Sequence, residues 1–269
     1  MTTRTGVALI GGGKMGEALL AGWVRQRGVD AVVVCERHAE RARELTSRYG
    51  VAVLDPAEAA ARSRVVVVAV KPQDTGTVLG QLAAHVDPGH LVVSVAAGVS
   101  TATIEGALPA GVAVVRVMPN TPALVGEGMS VLSAGTHAGD AELDEAEELL
   151  AAVGQVRRVP EDQQDAVTAL SGSGPAYFFY LVEAMVAGGV ALGLSRELAT
   201  DLSVQTAVGA AVLLRESDDA PEGLRAAVSS PGGTTVAAIA ALDERGVREA
   251  IAAAVAAAGR RSAELGRAE

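Results

Sequence analysis

A single cysteine, Cys35, stands among 269 residues, so no intramolecular disulfide can form and a secreted disulfide scaffold is excluded. Aromatics are almost absent: one Trp, three Tyr and two Phe make up 2% of the chain, against 49% hydrophobic residues. Any core must therefore be built from many Ala, Val and Leu side chains. Basic residues are outnumbered, 22 Lys and Arg against 32 Asp and Glu, for a net charge of −10. Such a surface repels a phosphate backbone, and no nucleic-acid partner is expected. Long apolar runs are missing as well: Val65 to Val70 and Ile251 to Ala258 are well short of the roughly 20 residues of a membrane span, so no membrane partner is expected. No apolar h-region follows Met1-Thr2-Thr3-Arg4-Thr5-Gly6, no export signal is visible, and a reducing cytoplasm is the expected compartment. His38, His85, His90 and His137 share no ligand spacing and no cysteine partner, so no metal site is expected, and they read as solvated residues of loops and helix surfaces.

What the sequence does contain is a change of pattern near residue 160. Before it, short β-branched runs recur: Val7 to Ile10, Val32 to Val34, Val65 to Val70, Leu91 to Val95 and Val112 to Val117. They lack two-residue alternation, as parallel strands covered on both faces do. Helical spacing lies between them, for example Met15, Ala18, Leu19, Gly22 and Trp23 within Lys14 to Arg27. A βαβ repeat follows, hence a doubly wound α/β sheet over residues 1–160, with a last strand at Met129 to Ser133 and a helix over Asp140 to Val153. Residues 161–269 are Ala-rich and read as all-α, with helices over Leu181 to Leu192, Arg196 to Leu214, Thr235 to Leu242 and Val247 to Leu265.

Gly11-Gly12-Gly13-Lys14-Met15-Gly16 satisfies G-x-G-x-x-G between the first strand and the first helix. Gly11 allows the tight turn, Gly13 the approach of backbone to a pyrophosphate, and Gly16 close packing of helix on strand. Free amides at the helix start bind the anion, so a dinucleotide site is favoured. Glu36 stands 20 residues beyond Gly16, where an acid hydrogen-bonds a ribose 2′-OH and favours NAD. Arg37 beside it suits a 2′-phosphate and NADP. The choice stays open at this level. Val68-Ala69-Val70-Lys71-Pro72 and Val93-Ser94-Val95-Ala96-Ala97-Gly98 deliver small residues to the crevice where nucleotides bind in open sheets. Asn120 lies between Pro119 and Pro122 and reads as a turn residue.

A second anion site is written in Ser229-Ser230-Pro231-Gly232-Gly233-Thr234-Thr235. Ser230 suits an N-cap and Pro231 the first helical position, which leaves the amides of Gly232, Gly233 and Thr234 pointing outwards. With the dinucleotide on the first helix, the carboxylate of a small substrate is the natural guest here. The alternative is a capped helix without ligand. Paired glycines in a helix's first turn cost stability and argue for binding.

These segments, together with Met118-Pro119-Asn120-Thr121-Pro122 and Ser171-Gly172-Ser173-Gly174-Pro175-Ala176-Tyr177, resemble the pyrroline-5-carboxylate reductases, in order and at that family's spacings over nearly the whole chain. The resemblance implies a Rossmann-like domain followed by an all-α dimerisation and substrate domain, an intertwined homodimer, and further assembly to a decamer. It implies NADPH as cofactor, with NADH left open by the Glu36-Arg37 pair, and 1-pyrroline-5-carboxylate as substrate, reduced to L-proline. Carried over residue by residue, cofactor contacts fall on Gly11, Gly12, Gly13, Lys14, Met15, Gly16, Arg37, Val70, Lys71, Pro72, Ala96, Ala97 and Gly98. Substrate contacts fall on Glu161, Ser230, Gly233, Thr234 and Thr235. Two polar nucleotide contacts of the family are not expected, because Pro56 and Ala227 stand near their positions.

Hydride delivery to a cyclic imine needs a proton donor at nitrogen and a fixed carboxylate anchor more than a strong base. Thr235 is the expected donor; Glu161 orders the substrate end, lines the pocket or is a surface acid. A β-hydroxyacid dehydrogenase would want a lysine acid/base late in the chain, and none occurs after Lys71. A cofactor-binding protein without turnover is a third reading, against which the intact Ser230 to Thr235 segment argues. Cys35 reads as packing, Ser171 and Ser173 as flanking a helix break at Pro175, Glu142 to Glu148 as a solvated face, and Tyr177 to Tyr180 as a core or subunit contact, with an active-site wall as the alternative.

Overall fold

The computed structural model describes residues 6–267; Met1 to Thr5, read above for an export signal, lie outside them. β1 (Gly6–Ile10) leads to α1 (Lys14–Arg27), β2 (Val32–Cys35) to α2 (Ala39–Tyr49), and β3 (Ala52–Val53) to α3 (Pro56–Arg62). β4 (Ser63–Val68) leads to α4 (Pro72–Leu82), β5 (Leu91–Ser94) to α5 (Thr101–Gly106), and then come β6 (Ala113–Met118), β7 (Gly128–Ala134), α6 (Asp140–Leu150) and β8 (Gly154–Arg158). The eight strands form one sheet in the order β3-β2-β1-β4-β5-β6-β7-β8. All neighbours are parallel except β6 and β7. The direction of winding reverses between β1 and β4, which opens a crevice beyond their carboxyl ends.

The strands read as unbroken apolar runs because both faces are covered. Val7, Leu9, Val65, Val67, Leu91 and Val93 enter one core; Ala8, Ile10, Val66, Val68 and Val92 enter the other. Trp23, fully buried in the first core, donates its indole N–H to the Leu149 carbonyl at 2.8 Å and ties α1 to the end of α6. Two strands escape the sequence pattern, and both are edges: β3 has two residues, and β8 (Gly-Gln-Val-Arg-Arg) buries only Val156. Met129 to Ser133 is therefore not the last strand. Charged residues on an edge also blunt pairing with another chain.

Beyond β8 the chain is helical: α7 (Gln164–Val167), a wide π-type turn over Thr168–Gly172, α8 (Gly174–Ala191), α9 (Arg196–Glu216), α10 (Pro221–Ala227), α11 (Thr234–Glu244) and α12 (Val247–Arg267). α8 opens at Gly174, seven residues before the expected start at Leu181, because Pro175 is tolerated in its first turn. Two compact units result, residues 6–173 with 258–267, and residues 174–257. This division differs from the expected 160/161 boundary. The end of α12 returns to the first unit, where Ser262 donates to the Asp165 carboxylate at 2.7 Å.

Three expectations are corrected. His90 is fully buried, with Nε2 at 3.1 Å from the Ala60 carbonyl and Nδ1 accepting from the Asp87 amide at 3.0 Å. Run length underestimates the helices, since a lone Glu183 splits α8: residues 161–191 and 196–216 are long and apolar enough, by length and composition alone, to cross a membrane. The Tyr177 to Tyr180 cluster is not core, for Phe178, Phe179 and Tyr180 are all exposed on the single chain.

Candidate active site

The carboxyl ends of β1, β2, β4 and β5 converge. Gly11 donates to the Cys35 carbonyl at 2.9 Å, Ala69 to Ile10 at 2.8 Å, and Val95 to Val68 at 3.0 Å. The glycine loop, Ala69 to Pro72 and Ala96 to Gly98 thus meet at the switch point, as the motif order required. Gly11 adopts φ +101°, and a side chain there would sit 2.7 Å from the Ala69 carbonyl oxygen. At Gly16 an added Cβ would lie 2.1 Å from the Gly11 oxygen, so α1 can lie this close to the loop only without one. Gly13 faces open space within 4 Å and is the N-cap of α1 with no side chain capping it. The amides of Lys14, Met15 and Gly16 consequently have no intrahelical acceptor. A cradle of free amides in front of an unobstructed glycine fits a pyrophosphate.

Lys71 is the exposed N-cap of α4 and Pro72 its first residue. Val70 is half-buried, Ala96 buried and Ala97 exposed. Gly98, at φ +82°, stands beside Leu265 and Gly266 of α12. Of the open pair, Glu36 turns inward: its oxygens accept the Gly12 amide at 2.9 Å and the His38 amide at 2.8 Å. Arg37 turns outward, 70% exposed, with a 3.4 Å contact to Asp74.

Glu161 is not the surface acid that one reading had it. Oε1 accepts from the Thr101 amide at 2.8 Å and from Arg116 at 3.1 Å, while Oε2 accepts from the Thr101 hydroxyl. Burial alone would raise its pKa, but the two Thr101 bonds and then the Arg116 guanidinium outweigh burial and hold it below the usual carboxylate range. Arg116 went unremarked in the sequence, although an arginine within Val-Val-Arg-Val-Met of a covered strand had to find an acid. Asn120 does more than shape a turn. It accepts from Met129 at 2.8 Å and donates to the Ser171 carbonyl at 3.0 Å, where the π-type turn brings Gly172 against Met118.

The second unit holds the Ser230 to Thr235 segment, and here the expected cap is corrected. Gly233, not Ser230, is the N-cap of α11; Pro231 and Gly232 form the turn before it, with Gly232 at φ +70°. The Gly233 amide donates to the Ser230 carbonyl at 2.9 Å and is not free. The free amides are those of Thr234, Thr235 and Val236, two residues later than expected. Ser230 and Thr234 are exposed and Thr235 half-buried. The structure therefore gathers the cofactor set and Glu161 in one unit and Ser230 to Thr235 in the other.

A family model described as pyrroline-5-carboxylate reductase dimerisation matches residues 161–265, and one described as NADP oxidoreductase, coenzyme F420-dependent, matches residues 6–98. The pyrroline-5-carboxylate reductase of Mycobacterium tuberculosis is 48% identical over 96% of both chains. This chain belongs to the pyrroline-5-carboxylate reductase family. The reductase of Synechocystis is 44% identical over 97% of this chain and 98% of its own. Among solved structures, the pyrroline-5-carboxylate reductase of Coxiella burnetii superposes with a TM-score of 0.91 at 36% identity, covering 98% and 99% of the two chains. The Plasmodium falciparum pyrroline carboxylate reductase, with NADP bound, gives 0.87 at 27% identity over 98% of each. Within α8 only Gly174 and Val186 are buried, and the family model that covers this region is one of dimerisation.

Proposed function

We propose that this protein reduces 1-pyrroline-5-carboxylate to L-proline with NADPH, the last step of proline formation. The observation that carries the reading is the free-amide start of α11, behind Ser230 to Gly233, in a member of this family that also has a dinucleotide cradle. When bound, the nicotinamide supplies the hydride. The residues of this chain hold, orient and protonate.

Gly13 and the Lys14, Met15 and Gly16 amides take the pyrophosphate, with Gly11 and Gly12 shaping the loop. Val70, Lys71, Pro72, Ala96, Ala97 and Gly98 line the nicotinamide side. Arg37 takes the 2′-phosphate, because Glu36 has both oxygens on backbone amides while the guanidinium beside it faces solvent. The substrate carboxylate sits on the amides of Thr234 and Thr235, with Gly233 keeping the approach clear and Ser230 beside it. Thr235 donates through its hydroxyl to the imine nitrogen, so no negative charge accumulates as the carbon is reduced. Glu161 orders the substrate end. The exposed apolar faces of α8 and α9 are covered by a second copy, dimers assemble further to a decamer, and the enzyme works in the cytoplasm.

Purified protein with pyrroline-5-carboxylate should oxidise NADPH, followed by absorbance, faster than NADH, with proline as product. Thr235→Ala should lower kcat by at least about ten-fold and leave the NADPH Kd unchanged. Cofactor binding without oxidation by the unaltered protein would refute the reaction; an unchanged kcat in the variant would refute the role of Thr235.

A further inference from the structure

Two side-chain contacts set the two peptide groups in the middle of the glycine loop. The Gly12 N–H is held by Glu36 at 2.9 Å, and the Gly12 carbonyl accepts Nε of Arg41 at 2.7 Å. Arg41 is itself tethered, with one terminal nitrogen on Glu17 of α1 and the other on Glu44 one turn along α2 at 2.9 Å. Glu17 is gripped again from α2, by Arg48 at 2.9 Å and the Tyr49 hydroxyl at 3.0 Å.

The planarity of the trans peptide gives these contacts a consequence. In each peptide group the C=O and N–H point in opposite directions. With the Gly12 N–H on Glu36, the Gly11 carbonyl faces the other way, against Gly16, where the close approach is observed. With the Gly12 carbonyl on Arg41, the Gly13 N–H is directed away from α2, at a residue where an added Cβ would meet nothing within 4 Å. A glycine triplet free of such contacts would sample many orientations of these amides, and a ligand would bear the cost of ordering them.

We propose that Arg41 is a positioning residue for cofactor binding: together with Glu36 it locks the Gly12 peptide groups so that the Gly13 amide is already aimed at the pyrophosphate. This rests on the reading of the loop as a nicotinamide dinucleotide site. Arg41 touches no part of the cofactor. It acts on a part common to NADPH and NADH, which separates it from a residue that reads the 2′-phosphate.

The test is titration of the intact protein with NADPH and with NADH, followed by fluorescence, with steady-state kinetics alongside. Arg41→Ala should raise both Kd values by the same factor, about ten-fold, and raise the cofactor KM while kcat at saturation stays within about two-fold. Arg41→Lys should recover only part of the loss, since an ammonium cannot make the forked contact to Gly12, Glu17 and Glu44 together. Loss confined to NADPH would overturn the proposal by making Arg41 a phosphate reader, and unchanged affinities would overturn it outright. Should Arg41→Ala fail to fold, Glu17→Gln carries the test: it removes one tether and should weaken both cofactors equally by a smaller factor, and no change refutes the lock. If the unaltered protein bound neither dinucleotide, the reading of the loop itself would fail.

Discussion

Replacing Glu161 by alanine tests whether this residue holds the end of the sheet together. The side chain of Arg116 is 9% exposed and that of Glu161 28%, and the Thr101 amide and hydroxyl depend on the same carboxylate. Removing one partner of a buried pair costs about 3–5 kcal/mol, and the partial exposure of Glu161 lowers the expectation here to roughly 2–4 kcal/mol. In a domain of this size that is a fall in Tm of roughly 5–15 °C, read by thermal denaturation at fixed protein concentration. Arg116→Met alone should cost less, and Glu161→Ala with Arg116→Met should be at least about 1 kcal/mol more stable than the sum of the single losses, because no charge is then buried alone. The pH dependence has a definite sign. The folded pKa is lowered from 4.5, so the stabilisation is present above that value and disappears as pH falls through the lower folded pKa. Additive losses in the double variant, or a Tm for Glu161→Ala within about 2 °C of the unaltered protein, would refute the reasoning.

Gly16→Ala would place a methyl 2.1 Å from the Gly11 oxygen, a backbone atom that cannot swing aside, so α1 or the loop must shift; a loss of about 1–3 kcal/mol and a raised NADPH Kd are expected from denaturant unfolding and titration. Burial, with a smaller contribution from Asp55, pushes the Cys35 thiol up to about 12, so native protein at pH 8 should resist iodoacetamide until it unfolds, as mass spectrometry would show.

Where sequence reasoning failed, the missing information was mostly non-local. The β-branched runs announced five of the six central strands because a strand covered on both faces admits little else. β3 and β8 were invisible because edge strands bury too little to leave a pattern. The cap of α11 was misplaced by three residues because Ser-Pro and Gly-Gly satisfy the same local rules in either register. The turn closed by the Gly233 amide on Ser230 decides between them.

Local chemistry in the sequence was enough to put the glycine loop at the switch point of the sheet. Gly11 and Gly16 answer steric demands made by the end of the adjoining strand and by the loop itself, and so the demand is written in the residue. The partners of charged groups were not legible in this way. Glu36 stood where an acid reads a ribose, yet the fold turned its oxygens onto the Gly12 and His38 amides and left Arg37 facing solvent. Glu161 and Arg116 are 45 residues apart, and Arg41 lies 29 residues from the Gly12 carbonyl it holds. An ionic or hydrogen-bonded contact depends on which long side chains folding brings within 3 Å of one another. No local periodicity encodes that distance, and only the packed sheet and helices determine it.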